Sequence, residues 1–229
     1  MNIFLSVGHS RLKNGNYTSA DGRKQNGCLE YTYNKELAAK IKEILEKEGQ
    51  KVTLCICPEM KFTKSTDEKS YKIPLENNGN YDMAIELHLN ASVNHNAEGC
   101  EVLYLSEEGK AIAKRIENKL DDIFKGRGIT KRENLYFLKS TRSPAVMLET
   151  FFCDNANDYK KGKDMDKVAL KICEGILDKT ITVKDEPKNK TDKLYRVQTG
   201  AFSKKENAEK LAAELKKDGY EAIIVECQI

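Results

Sequence analysis

Apolar residues recur along this chain in two alternating rhythms, and the alternation sets the fold class. Short period-two or continuous apolar runs at residues 3–7, 52–57, 81–89, 101–105, 135–138 and 145–150 read as strands. Helical spacing separates them. Residues 30–48 place Leu37, Ile41, Ile44 and Leu45 on one face, and Gly49 stops the pattern. Residues 107–124 align Ile112, Ile116, Leu120 and Ile123, and 164–179 form a third amphipathic helix. Strands separated by helices predict an α/β sandwich with a largely parallel sheet. The rhythm breaks at 184–193 (KDEPKNKTDK), which is charged, holds Pro187 and has no apolar residue. This is a linker. A small βαβ unit follows, with strands at 194–199 and 220–226 around a helix at 203–217. Ser203 and Glu206 have the spacing of a capping box. The expected division is a main domain at 1–183, a linker at 184–193 and a small unit at 194–229.

Composition narrows the partners. A chain of 229 residues can bury a real core and still carry a second, smaller unit. Charged residues make up 33%, with a net charge of +3 from dispersed lysines, too weak a balance to argue for nucleic acid. No segment has the apolar length of a membrane span. The opening MNIFLSVGHS lacks the basic start and long apolar run of an export signal. Seven cysteines are an odd count without a CxxC pair, which suits reduced thiols filling apolar space.

The candidate chemistry sits where apolar strands end. His88 closes the run 83–89, and His9 follows the run 3–7. The chain has three histidines, and two of them terminate strands. A parallel sheet gathers its ligands beyond the carboxyl ends of its strands, so two imidazoles delivered there suggest a metal. A hydrolytic zinc takes three protein ligands and keeps one position open. Glu30, opening the first helix, is the third candidate. Its plain alternative is an acid favoured by the helix dipole. His95 and Asp21 lie in polar loops and are less restrained. Glu149 interrupts an apolar strand end beside Met147, Leu148, Phe151 and Phe152. A carboxylate there is either paired with a lysine or arginine, or catalytic. Asn90, two residues past His88, falls on the same side of its strand, positioned to meet a substrate or to tie down the loop.

Four motifs taken in order carry a resemblance. GHS at 8–10, glutamate at the head of the first helix, ELHLNAS at 86–92 and SPAVMLETFFCDN at 143–155 resemble the zinc-dependent N-acetylmuramoyl-L-alanine amidases of the amidase-3 type. The similarity runs from residue 1 to about 180, and TSADG, EYTYNK and YKIP look especially like clostridial phage endolysins. Ser10-Arg11 departs from the GHGG-like turn of many members.

The resemblance implies a six-stranded sheet with helices on both faces. It implies Zn²⁺ held by His9, Glu30 and His88, with Glu149 as the catalytic carboxylate and Asn90 as a substrate-binding candidate. The implied substrate is peptidoglycan, cut between N-acetylmuramic acid and L-alanine. A stem-peptide endopeptidase and a non-catalytic wall-binding protein are the alternatives. The tail from YRVQTGAFS onward resembles the first half of a SPOR repeat, a family that binds peptidoglycan glycan strands. A half-repeat leaves a strand edge open, so pairing across a homodimer is expected. No nucleic acid and no membrane insertion are expected. Without an export signal, the chain is expected to be made in the cytoplasm and to reach the wall after release.

Overall fold

The computed structural model describes residues 1–182, 199–220 and 222–226. It divides into two compact units, Met1–Thr182 and Val183–Ile229. The first is built on a six-stranded sheet of β1 (Asn2–Val7), β4 (Lys51–Cys55), β5 (Met83–Asn90), β6 (Cys100–Tyr104), β7 (Gly126–Lys131) and β8 (Ala145–Phe152). A two-residue hairpin, β2 (Asp21–Gly22) with β3 (Cys28–Leu29), stands apart. The sheet order is β4-β1-β5-β8-β6-β7. Every pairing is parallel except β6 with β8. β1, β5 and β8 lie side by side in the middle and point the same way, so their carboxyl ends open on one edge.

Alternation along these strands creates two unlike faces. Ile3, Leu5, Val7, Ile85, Leu87, Val146 and Leu148 point to one side. There they meet α1 (Glu30–Lys47), α3 (Glu107–Leu120) and α6 (Met165–Leu177), which supply Leu37, Ile41, Ile116 and Ile172. The opposite side begins as an apolar layer of Phe4, Ala84, Leu103 and Met147. Toward the carboxyl ends the same side becomes polar: Ser6 on β1, Glu86 and His88 on β5, Glu149 on β8. Two helices cover this face, α2 (Thr66–Asn77) and α4 (Tyr136–Ser140). The expectation of a mostly parallel six-stranded sheet with helices on both faces is met.

Residues 135–138, expected as a strand, enter α4 instead. Leu135 is extended and the chain turns helical after it, with Phe137 and Leu138 buried against the second face. A run of four apolar residues does not by itself distinguish strand from helix. The Thr141 hydroxyl closes the turn on the Phe137 carbonyl at 2.7 Å. Three elements had no apolar signature. α2 is polar and carries Pro74 inside it. β7 is a half-exposed edge strand. α5 (Ala156–Gly162) is short and is capped by Asn155, whose side chain accepts the N–H groups of Asn157 and Asp158.

In the second unit α7 (Lys205–Lys217) is formed, with Lys204 rather than Ser203 at its N-cap and no side-chain cap bond. The Ser203–Glu206 capping box is therefore not made. The expected linker at 184–193 and residues 194–198 of the expected first strand lie outside the described residues. Among the described residues, Tyr220 and 222–226 form no named strand.

One close approach gives a test of the main core. A Cβ on Gly175 of α6 would lie 2.5 Å from the Ile116 Cα of α3. Backbone cannot yield there as a flexible side chain can. Gly175→Ala is expected to cost about 1–3 kcal/mol of unfolding free energy in a denaturant titration, with the two helices forced apart.

Candidate metal centre

His9, Glu30 and His88 reach one point from three elements. One ligand atom from each lies within 4.8 Å of the other two. His88 lies two residues before the end of β5, and its Nδ1 is 3.1 Å from Glu30 Oε1 and 3.2 Å from His9 Nε2. His9 Nε2 is 3.3 Å from the same Glu30 oxygen. Three electron-pair donors crowded this closely repel one another unless a proton or a cation lies between them.

Local structure explains how each side chain arrives. The chain leaves β1 at Val7, and His9 takes a left-handed backbone, φ 65°. This conformation is uncommon for a residue with a side chain, and such strain collects at functional sites. Gly8 is required just before it: a Cβ there would come within 2.3 Å of the His88 ring. Glu30 is the first residue of α1 and is 1% exposed. Its Oε2 accepts the Ala20 N–H at 2.7 Å, and its Oε1 accepts the Leu89 N–H at 3.0 Å.

Each histidine has its outer nitrogen occupied. His88 Nε2 lies 3.1 Å from Glu86 Oε2, and a carboxylate behind an imidazole fixes which nitrogen faces inward. His9 Nδ1 lies 3.4 Å from Thr18 Oγ1, whose hydroxyl donates to Glu68 Oε1 at 2.6 Å. That hydroxyl is left to accept from Nδ1–H, so the Nε2 lone pair faces the centre. Two imidazole nitrogens and a carboxylate form the donor set of a hydrolytic zinc site, and the residues present fit a divalent cation.

The charges agree. Burial works against ionisation of Glu30, but hydrogen bonds from His88 and His9 outweigh it and hold the carboxyl well below its usual range. Burial also opposes the His88 imidazolium, yet its bonds to Glu30 and Glu86 push it up to about 10. Without a metal, a proton on His88 does the work of the cation.

Glu149 faces this cluster from the next strand, as the register partner of His88 across β5 and β8. Its Oε2 is buried without a hydrogen-bond partner, and the lysine or arginine ion pair that was the alternative is not formed among the described residues. Burial raises its carboxyl to about 6, with the charges of His88 and His9 pulling the other way. Asn90 lies two residues beyond His88, past a shift in the β5–β8 register, and its Oδ1 accepts the Ala91 N–H at 2.9 Å. The remaining candidates fall elsewhere. His95 Nδ1 bonds Asp154 at 2.7 Å, and Asp21 pairs with Arg23. The six described cysteines are buried and free, and none is part of the cluster.

Sequence reading missed Thr18, Glu68, Lys72 and Glu86. A signal existed only for Glu86: a second charged residue in the apolar run of β5, at the same parity as His88.

Comparison with known proteins places the chain in a family. The family model for N-acetylmuramoyl-L-alanine amidase matches residues 3–178, and the chain belongs to that family. The SPOR domain model matches residues 183–227. The N-acetylmuramoyl-L-alanine amidase CwlM of Bacillus licheniformis is 26% identical over 228 residues, covering 97% of this chain and 84% of that protein. A sporulation-specific amidase of Bacillus subtilis is 25% identical, over 97% of this chain and 84% of its own length. Among solved structures, the catalytic domain of the CD27L endolysin, which targets Clostridia difficile, superposes with a TM-score of 0.76. It is 49% identical, over 79% of this chain and 99% of that one.

A proton count tests the centre. His88 carries a proton at neutral pH in the metal-free protein and must lose it to ligate through Nδ1. Titration calorimetry of zinc in buffers of different ionisation enthalpy is expected to show release of about one proton per metal bound. His9→Ala and His88→Ala are each expected to lower bound zinc in elemental analysis.

Proposed function

We propose that this chain is a zinc-dependent peptidoglycan amidase that cuts the bond between N-acetylmuramic acid and L-alanine, with His9, Glu30 and His88 as zinc ligands. Family membership supports amide hydrolysis in the wall. The observation that carries the catalytic assignment is the buried, unpartnered Oε2 of Glu149 beside the histidine–glutamate cluster. Zinc, when bound, acts as a Lewis acid that polarises the scissile carbonyl and acidifies a water.

The protein's own groups do the proton work. Glu149, held near 6 by burial, is ionised at neutral pH and still basic enough to take a proton from water. The acid so formed returns that proton to the leaving L-alanine amine. Asn90 already uses its Oδ1 on Ala91, which leaves its Nδ2 amide to donate to substrate. The polar edge where β1, β5 and β8 end receives the glycan–peptide junction.

The tail completes the reading. Residues 1–183 are the catalytic domain, 184–193 a linker and 194–229 a wall-binding half-repeat that pairs with a second copy. Exposed Phe202, Tyr220, Ile223 and Ile224 support that pairing. Synthesis in the cytoplasm and release to the wall at lysis belong to the same proposal. A strictly monomeric mass at micromolar concentration in sedimentation would remove the dimer.

Digestion of purified walls separates the chemistries: new N-terminal L-alanine is expected, and any other new terminus marks an endopeptidase. Glu149→Gln is expected to abolish lysis while keeping zinc. It also carries a stability prediction. The folded carboxyl lies above its ordinary 4.5, so Glu149 stabilises the fold below that pH and loses this contribution as pH rises through about 6. In the metal-free protein at pH 7.5, Glu149→Gln should therefore be more stable, by no more than about 2 kcal/mol. The advantage should vanish below about pH 4.5 in thermal melts.

A further inference from the structure

Helix α2 turns charge inward. Glu68, Lys72 and Glu76 recur every fourth residue and share one face, and all three are buried. A helix needed only to cover the sheet would use apolar residues there, as α4 does with Phe137 and Leu138. Burying charge is costly unless every group is paired, so the partners reveal the use.

The partners of Glu68 and Lys72 belong to the site, and those of Glu76 lie before β8. Glu68 Oε1 accepts from Ser10 Oγ at 2.9 Å and from Thr18 Oγ1 at 2.6 Å, and Thr18 meets the outer nitrogen of His9. Lys72 Nζ donates to the Val7 carbonyl at 2.6 Å, two residues before His9. It also donates to Glu86 Oε1 at 2.8 Å, and the other Glu86 oxygen meets His88 Nε2 at 3.1 Å. Ser6 Oγ gives Glu86 Oε1 a further bond at 3.3 Å. Glu76 accepts the N–H groups of Arg142 and Ser143, at 2.9 and 3.0 Å, in the turn that leads into the strand of Glu149. Turn by turn, one helix face reaches the His9 loop, the His88 ring and the approach to β8.

We infer that α2 is the positioning element of the metal centre, and that Lys72, acting through Glu86, holds the His88 ring with its Nδ1 toward the metal. The inference rests on the zinc reading above but concerns residues that touch neither metal nor substrate. A buried ion pair is weak evidence for stability, because apolar groups of equal volume do as well or better. What apolar groups cannot do is bond the outer nitrogen of a ligand imidazole, which fixes its tautomer and raises its basicity. Lys72 joins both histidine-bearing segments through a single ammonium, so ring orientation and loop position are set together. Ser10 is drawn into the same network by Glu68.

The test uses the full chain. Lys72→Met combined with Glu86→Gln removes both charges and leaves neither unpaired. Zinc affinity is measured by chelator competition, the cobalt-substituted protein by its visible absorption, and the metal-free fold by cooperative thermal unfolding. The folded double variant is expected to bind zinc about 10- to 100-fold more weakly, with altered cobalt bands. Lys69→Met, on the exposed side of α2, should match the parent. A double variant that folds and keeps the parent's zinc affinity and cobalt spectrum overturns the inference. If it does not fold, the near-isosteric Glu68→Gln is read by the same two measurements through His9. Weaker zinc supports the role of α2, and unchanged zinc overturns it. A parent that binds no zinc overturns the functional reading together with the inference, whereas a zinc-binding parent with an indifferent variant removes only the role of α2.

Discussion

Glu30 is buried, and each of its oxygens holds a different part of the chain in place. One accepts the Ala20 N–H and pins the loop that follows His9. The other accepts the Leu89 N–H and faces both histidines. An ionised carboxylate survives in such a place only with full compensation. The end of β1, the head of α1 and the end of β5 are therefore locked in register around one negative charge. Gly8 exists to let the His88 ring fit under that arrangement, and the left-handed His9 is tolerated because it is held there.

The sheet turns this local lock into a site. β1, β5 and β8 run parallel in adjacent positions, so His9, His88 and Glu149 emerge on one edge without any long excursion of chain. Their side of the sheet is apolar at its base and polar at its carboxyl end. The base anchors the strands through Phe4, Ala84 and Met147, and the polar end carries the chemistry. Glu149 differs from Glu30 in one respect that matters. No hydrogen bond satisfies its buried Oε2 and burial outweighs the nearby histidine charges, so its proton affinity is raised while that of Glu30 is lowered. Two carboxylates near one cluster thus take opposite parts, one suited to a cation and one to a proton.

Much of this was legible in the sequence because burial leaves a pattern. β1, β5, β8, α1, α3 and α6 have continuous or periodic apolar positions, and the two strand-end histidines stand out against them. Glu149 is visible as a carboxylate where a carboxylate is costly, whereas Glu30 opens a helix, where an acid is favoured in any case, and its ligand role came from the resemblance. α2 was not legible, since its buried face is Glu68, Lys72 and Glu76 and periodicity rules look for apolar faces. The sequence 135–138 was misread because so short an apolar run fits either periodicity. Glu86 was passed over inside an apolar strand, although its parity with His88 marks it. The unreadable part is the part that supports the site rather than forms it, because support here comes through buried polar bonds.

The central claim concerns which atoms hold the metal, and X-ray absorption at the zinc edge of the loaded protein measures that directly. The account predicts nitrogen and oxygen neighbours at about 2.0–2.2 Å, with the outer scattering of two imidazole rings. Sulfur at about 2.3 Å would contradict it, because the metal would then be held by the cysteines rather than by His9, Glu30 and His88.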